Sequence, residues 1–224
     1  DVCFIKPYRR TNEHAKTLDQ IHSLLDAFGM EKGEAGQYPP KPFQFAQTAQ
    51  SIERVYRKVE GCLKDIDTLN QRIDRNKELQ RHFGYIADLD IPWQELRGME
   101  YFYFHIGLFP KDNLDKLKNN YENTPAIVYP VHSLQNSVVV VSVAPKSLMV
   151  EQDRIYNSLG YQSLNIPDDF EGVPKEIIRR LVEEEKGLQK EIQACLKSID
   201  RVKREDGKRI EQCYSELRIY EKMQ

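Results

Sequence analysis

Ala87 to Pro110 reads ADLDIPWQELRGMEYFYFHIGLFP and interrupts a chain that is otherwise charged and helical in pattern. It contains the single Trp of the sequence, Trp93, and from Glu100 its periodicity changes from helical to alternating. Phe102, Phe104, Ile106 and Leu108 fall on one side of that alternation. Tyr101, Tyr103 and His105 fall on the other, as in a half-buried strand. The strand is predicted from Glu100 to Leu108, with Pro110 as its stop.

Beyond it, Leu114 and Leu117 recur at helical spacing within Lys111 to Tyr121, where Asp112 or Asn113 can cap. Ala126 to Val131 and Val138 to Val143 read as two further strands, joined by the turn-prone run from Ser133 to Asn136. Pro145 to Leu159 reads as a second helix stopped by Gly160, and Gln162 to Ile166 as a short fourth strand. The order β-α-β-β-α-β is the ferredoxin-like arrangement, in which two helices cover one face of an antiparallel sheet. Five of the six residues from Val138 to Val143 are Val, so the third strand is apolar on both sides. Its second face, with Tyr101, Tyr103 and His105, needs a cover: either the ends of the flanking helices or a partner protein.

Two long helices flank this lobe. From Phe45 to Phe83, the residues Ile52, Val55, Val59, Cys62, Ile66, Leu69, Ile73 and Leu79 form a narrow seam with one lapse at Asn76, the two-in-seven pattern of a coiled coil. Such a helix is on the order of 55 Å long. From Pro174, a residue suited to the first helical position, Ile178, Leu181, Leu188, Ile192, Cys195, Ile199 and Val202 repeat the design. Asp206 breaks the register, and Ile210, Cys213, Leu217 and Tyr220 resume it.

Matching seams predict an antiparallel pair, with Phe83 and Pro174 at the same end and Cys62 facing Cys195. Helix axes ~8 to 10 Å apart hold most Cα pairs beyond disulfide reach, so two small buried thiols are the favoured reading. The second helix then overruns the first. Its extra apolar positions need a partner, and the short amphipathic helix from Thr11 to Phe28, with Leu18, Ile21, Leu24, Leu25 and Phe28, supplies one. A three-helix end is expected there, reached through the Gly- and Pro-rich connector from Gly29 to Phe43. The division is thus 1–47 for the N-terminal helix and connector, 48–86 for the first coiled-coil helix, 87–172 for the α/β lobe and 173–224 for the second helix. The fold class is α+β: a long antiparallel helical hairpin with a ferredoxin-like lobe at its tip.

Composition bounds the function. Charged residues are 30% of the 224, hydrophobic residues 40%, and the mean hydropathy is -0.66, which favours an elongated molecule. The 33 basic and 35 acidic residues are interleaved, without the basic patch of a nucleic-acid binder. No run approaches the roughly 20 apolar residues of a membrane span, and no signal peptide opens the chain. The four cysteines lie far apart without metal spacing, so a reducing, cytoplasmic setting is expected. No GxSxG, HExxH or P-loop occurs and the five histidines are isolated; neither a catalytic site, a metal site nor a cofactor site is expected. The run Glu183 to Glu185 reads as a solvated helix face.

Three phrases carry a family resemblance: DLDIPWQELRGMEYFYFHIGLFP, VVVVSVAP and GYQSLNIPDDFEGVPKEIIRRLVEE. They resemble the cytoplasmic N-terminal region of subunit I of the V/A-type rotary ATPases, the counterpart of eukaryotic subunit a. The match spans roughly Leu89 to Leu181.

The resemblance implies a helical hairpin with an α/β lobe at each end, Met99 to Ile166 being the distal one, and a chain that begins and ends inside the proximal lobe. It implies a non-catalytic stator component of a proton- or sodium-translocating ATPase, at the cytoplasmic face of the membrane. The implied partners are the peripheral-stalk subunits and, near the proximal end, the central-stalk cap subunit. Tyr101, Tyr103 and His105 are the candidate partner-binding residues. The alternatives are a ligand-sensing ferredoxin-like module and a free-standing coiled-coil scaffold.

Overall fold

The structure, a computed structural model, describes residues 12–30, 44–119 and 126–222. Its elements are α1 (Asn12–Phe28), α2 (Phe45–Gly84), α3 (Trp93–Arg97), β1 (Phe102–Pro110), α4 (Lys111–Asn119), β2 (Ile127–Ser133), β3 (Ser137–Pro145), α5 (Met149–Ser158), β4 (Gln162–Ser163) and α6 (Pro174–Lys222). The expected Thr11 cap, most of the connector and the helix end at Tyr121 lie outside the described residues. The chain divides into two compact units, one made of Asp1–Gln71 with Leu188–Gln224 and the other of Arg72–Gly187.

The first unit is a three-helix assembly. Gly29 adopts φ +58°, a left-handed conformation that ends α1 at little cost in glycine. Ile21, Leu24, Leu25 and Phe28 of α1 pack with Ile52, Val55 and Val59 of α2 and with Ile199, Ile210, Cys213, Tyr214 and Leu217 of α6. This is the three-helix end expected from the overrun. Thr48 donates to Glu216 at 3.0 Å, Arg209 to Ser51 at 2.8 Å and Lys58 to Asp206 at 2.6 Å. Rising numbers along α2 meet falling numbers along α6, so the two run antiparallel in this unit.

The seam shifts its register at Asp206 as expected, while α6 continues through it as one helix. Asp206 turns out toward Lys58, and the neighbouring Gly207 takes the buried position, where a Cβ would come to 2.8 Å from Cε of Met30. The seam narrows at that point to admit the Met30 side chain.

The second unit is built on a four-stranded sheet of order β2-β3-β1-β4, with every neighbouring pair antiparallel. Phe104 pairs with Val143, Ile106 with Val141 and Leu108 with Val139, and these side chains share one face. That face packs on Leu79 and Phe83 of α2, on Trp93 and Leu96 of α3, and on Ile177 and Leu181 of α6. The opposite face holds Phe109 and Val140, covered by Leu114 and Leu117 of α4 and Tyr156 of α5.

The assignment of covers is therefore the reverse of the expected one. The lobe's own helices lie over the Tyr/His face, and the long-helix ends lie over the Phe/Ile/Leu face. Burial on both faces explains why five of the nine residues of β3 are Val.

Trp93 fixes this arrangement. It is 1% exposed, its Nε1 donates to the Pro167 carbonyl at 2.9 Å, and its ring meets Phe83 and Phe104 edge-on at 5.3 and 6.0 Å. Its backbone N–H donates to Gly172, whose own N–H donates to Gln94 Oε1, both at 2.9 Å. Gly172 has φ +96°, open to glycine and strained for other residues. Arg97 donates to Asp168 at 2.5 Å and to the Phe104 carbonyl at 2.8 Å. The loop after β4 is thereby tied to α3 before α6 begins. Ile91, two residues before Trp93, is 42% exposed and takes no part in this core.

Other bounds moved as well. β1 continues through Pro110, which pairs with Ser137, β4 shortens to two residues, and Pro145 closes β3 so that α5 starts at Met149. Along α6 the seam residue is Ile177, fully buried, whereas Ile178 is half-buried. Ile177→Ala is expected to destabilise the second unit by about 2 to 5 kcal/mol and Ile178→Ala by less than half as much. Urea unfolding followed by Trp93 fluorescence measures both; equal losses would contradict the assignment.

Candidate docking surface

Of the nine large hydrophobic side chains exposed among the described residues, eight belong to the second unit, and seven of these, all but Ile91, gather at one end of its sheet. Strand pairing brings them together. Phe102 opens β1 opposite Pro145, and Ile127 opens β2 opposite Val143, two residues before Pro145 on β3. Tyr129, opposite Val141, continues the same face. The Lys146 N–H donates to the Tyr101 carbonyl at 2.9 Å, which holds the start of α5, with Leu148, Met149 and Val150, beside the start of β1. Tyr101 is 70% exposed, Ile127 67%, Tyr129 66% and Val150 67%. Exposed apolar side chains gathered at one end of a sheet mark interaction surfaces more often than ordinary solvent-facing surface.

The outer strand of the patch, β2, has an open edge, and its sequence blunts it. Pro130 lacks an N–H, and the ladder shifts register between Pro130 and His132. Strand-on-strand addition is disfavoured there. What this end of the sheet exposes is side chains.

The three residues singled out in the sequence divide. Tyr101 lies in the patch. Tyr103 donates from its hydroxyl to Gln152 Oε1 of α5 at 2.9 Å, and burial pushes its phenol up to about 12. His105 stands edge-on to Tyr103 at 4.1 Å, and edge-on to Tyr156 and Tyr161 at 6.5 and 6.4 Å. Burial holds the His105 imidazole below its ordinary range, with Asp153 opposing and Arg97 assisting. Gly107 is required beside it, since a Cβ there would run into the Tyr161 ring. Tyr103 and His105 thus anchor α5, the helix whose first residues belong to the patch. Phe102, Ile127, Tyr129 and Met149 were not singled out in the sequence, because an apolar residue on a strand reads as core until the covering helices are placed.

No group of three or more His, Cys, Asp or Glu suited to a metal ion occurs among the described residues. Of the acidic run, Glu184 accepts from Arg72 at 2.8 Å, Glu185 from Gln80 at 3.0 Å and Glu183 from Lys186 at 3.2 Å. A cleft of about 360 Å³ runs beside β4 between Arg97 and Asn165. Its guanidinium is already held by Asp168 and the Phe104 carbonyl. Among the described residues no helix is long and apolar enough to cross a membrane.

No family model matches the chain, and no curated protein matches it. Among solved structures the chain is similar to the crystal structure of the cytoplasmic N-terminal domain of subunit I, homolog of subunit a, of V-ATPase. The two are 14% identical with a TM-score of 0.55, over 95% of this chain and 73% of that one. The likeness carried by three phrases of sequence is thus present in the fold of almost the whole chain.

His82, 4% exposed, is held below its ordinary range by burial, as is His105; Nδ1 of the first and Nε2 of the second have no hydrogen-bond partner among the described residues. Glu78 draws the His82 value back up, and Arg81 and Arg75 lower it further. Both imidazoles therefore stay neutral in the folded unit while the unfolded chain takes up protons below about pH 6.5. Their stabilising contribution is full above that pH and is lost as the pH falls through the lower folded values. Urea unfolding of His82→Gln combined with His105→Gln is expected to flatten the pH slope between roughly pH 5 and 7. An unchanged slope would place the titration elsewhere.

Proposed function

We propose that this chain is a non-catalytic stator part of a V-type rotary ATPase, working at the cytoplasmic face of a membrane. It carries load through a stiff helical hairpin and docks through its α/β lobe. The observation that supports this most is the similarity of fold to the subunit I cytoplasmic domain over 95% of the chain. On this reading, residues 48–86 and 173–224 are the two hairpin helices, and residues 87–172 are the distal ferredoxin-like lobe. Residues 1–47 belong to the proximal end. A stator must resist torque, and helices joined along a continuous seam resist bending because a bend disrupts packing along their length.

The lobe's partner is the helical peripheral stalk, and the central-stalk cap subunit meets the proximal end. The docking contact is the apolar patch, with Tyr101 inside it and with Tyr103 and His105 holding α5 in place behind it. An amphipathic stalk helix laid across Phe102, Ile127 and Tyr129 would bury side chains that the lobe leaves in water, and each such residue is worth about 1.5 to 3 kcal/mol when fully buried.

Ile127→Ser combined with Tyr129→Ser is expected to weaken binding to purified peripheral-stalk subunits at least tenfold by biolayer interferometry, with the circular dichroism unchanged. Tyr103→Phe is expected to leave that affinity within about twofold, as it removes an internal hydrogen bond away from the contact. Full binding by the double variant would move the seat off this surface.

A further inference from the structure

We propose that His105 is a proton-operated latch: when its imidazole takes up a proton, α5 is released from the sheet, and with it one end of the exposed apolar surface. The latch is a polar cluster enclosed by β1, β3 and α5. Nε2 of His105 is buried without a hydrogen-bond partner among the described residues, and so are Oγ of Ser142 and Nε2 of Gln152. Ser142 stands directly opposite His105 on β3 and is 1% exposed, while Gln152 of α5 is 0% exposed. The rings of Tyr103, Tyr156 and Tyr161 stand edge-on around the imidazole at 4.1, 6.5 and 6.4 Å. The Tyr103 hydroxyl, donating to Gln152 Oε1 at 2.9 Å, fastens α5 over the cluster.

A neutral imidazole suits this enclosure and a charged one does not. Protonation makes both ring nitrogens donors, and Nε2 has no acceptor to meet. Burying an unpaired charge costs far more than burying an unpaired neutral group. Burial accordingly holds the imidazole below its ordinary range; Asp153 of α5 favours the charged form, and Arg97 of α3 opposes it. The neighbouring phenols are not counter-ions, because burial pushes Tyr103 up to about 12 and Tyr161 up as well. His105 and Arg97 both line the cleft beside β4, which gives protons a path inward.

Of the elements around the cluster, α5 is the one that yields. β1 and β3 are paired along their whole length, from Phe102 with Pro145 to Pro110 with Ser137. α5 has ten residues, and a helix of that length is marginal in water without its packing face. Leu148, Met149 and Val150, at its start, are 37, 45 and 67% exposed and belong to the apolar surface. Acid therefore weakens the docking seat, a consequence that rests on the docking reading above; the latch itself does not. Below about pH 6.5, the ordinary histidine value, the released form gains up to about tenfold in population per pH unit until the latched imidazole also titrates.

Hydrogen exchange of the full chain at pH 7.5 and 5.5, corrected for the intrinsic pH dependence of exchange, tests the latch. The amides of α5 are expected to exchange roughly tenfold faster at the lower pH relative to those of β1 and β3. His105→Gln should abolish that rise, and His82→Gln, a change in α2 on the other face of the sheet, should keep it. No rise in α5, an equal rise across β1 and β3, or a rise that persists in His105→Gln would overturn the proposal. The comparison of α5 with the strands in the wild-type chain decides the matter even where His105→Gln folds poorly. Affinity for purified peripheral-stalk subunits is expected to fall over the same pH interval in the wild-type chain and to stay level in His105→Gln. Opening of α5 with unchanged affinity would uphold the latch and count against the apolar surface as the docking seat.

Discussion

Water must be kept from both faces of β1 and β3, and the rest of the second unit depends on how this is done. Each central strand alternates apolar side chains to the two sides, so a single layer of helices leaves half of them wet. The helices α4 and α5 cover one face. The other is covered by Leu79, Phe83, Ile177 and Leu181, residues of helices that continue into the first unit. The last turns of α2 and the first turns of α6 are therefore core elements of the second unit. Trp93 stands where they meet, in edge contact with Phe83 of the helix and Phe104 of the sheet.

That cover is incomplete at the end of the sheet where β1 and β2 begin. Phe102, Ile127 and Tyr129 lie on the covered face yet remain exposed. A helix end is narrower than a four-stranded sheet, so the outermost strand lies beyond its reach. The Pro130 irregularity blunts the strand edge while leaving the side chains free. The result is an apolar surface that resists strand pairing.

The long-range plan was legible because it rests on periodicity. A two-in-seven seam over forty residues leaves few alternatives to a paired helix, and α2 ends within a residue of the expected position. The overrun of α6, together with the short helix before the connector, carried the three-helix end. The order of strands and helices followed from switches between the two periods. What misled was parity and local register. Ile177 and Ile178 differ by only about 100° around a helix, and two adjacent apolar residues do not say which faces inward. At Asp206 the register shift was legible, but its cause was not, because Gly207, which occupies the seam against Met30, has no side chain to register in an apolar pattern. The aromatic face of β1 looked available to a partner because tyrosine and histidine suit a wet surface and a buried network equally well; α5 supplied Gln152 to receive the Tyr103 hydroxyl.

By itself, then, the sequence determined the elements other than α3, their order and, within the first unit, the antiparallel run of α2 and α6, since these follow from the spacing of apolar residues along one chain. Only the tertiary structure decided which helices cover which face of the sheet, and therefore which of the many aromatic and aliphatic side chains near its end are core and which are surface. The physical reason is that burial is a property of what lies opposite. Alternation along a strand separates its residues into two sets, and it carries no information about which set another element will cover.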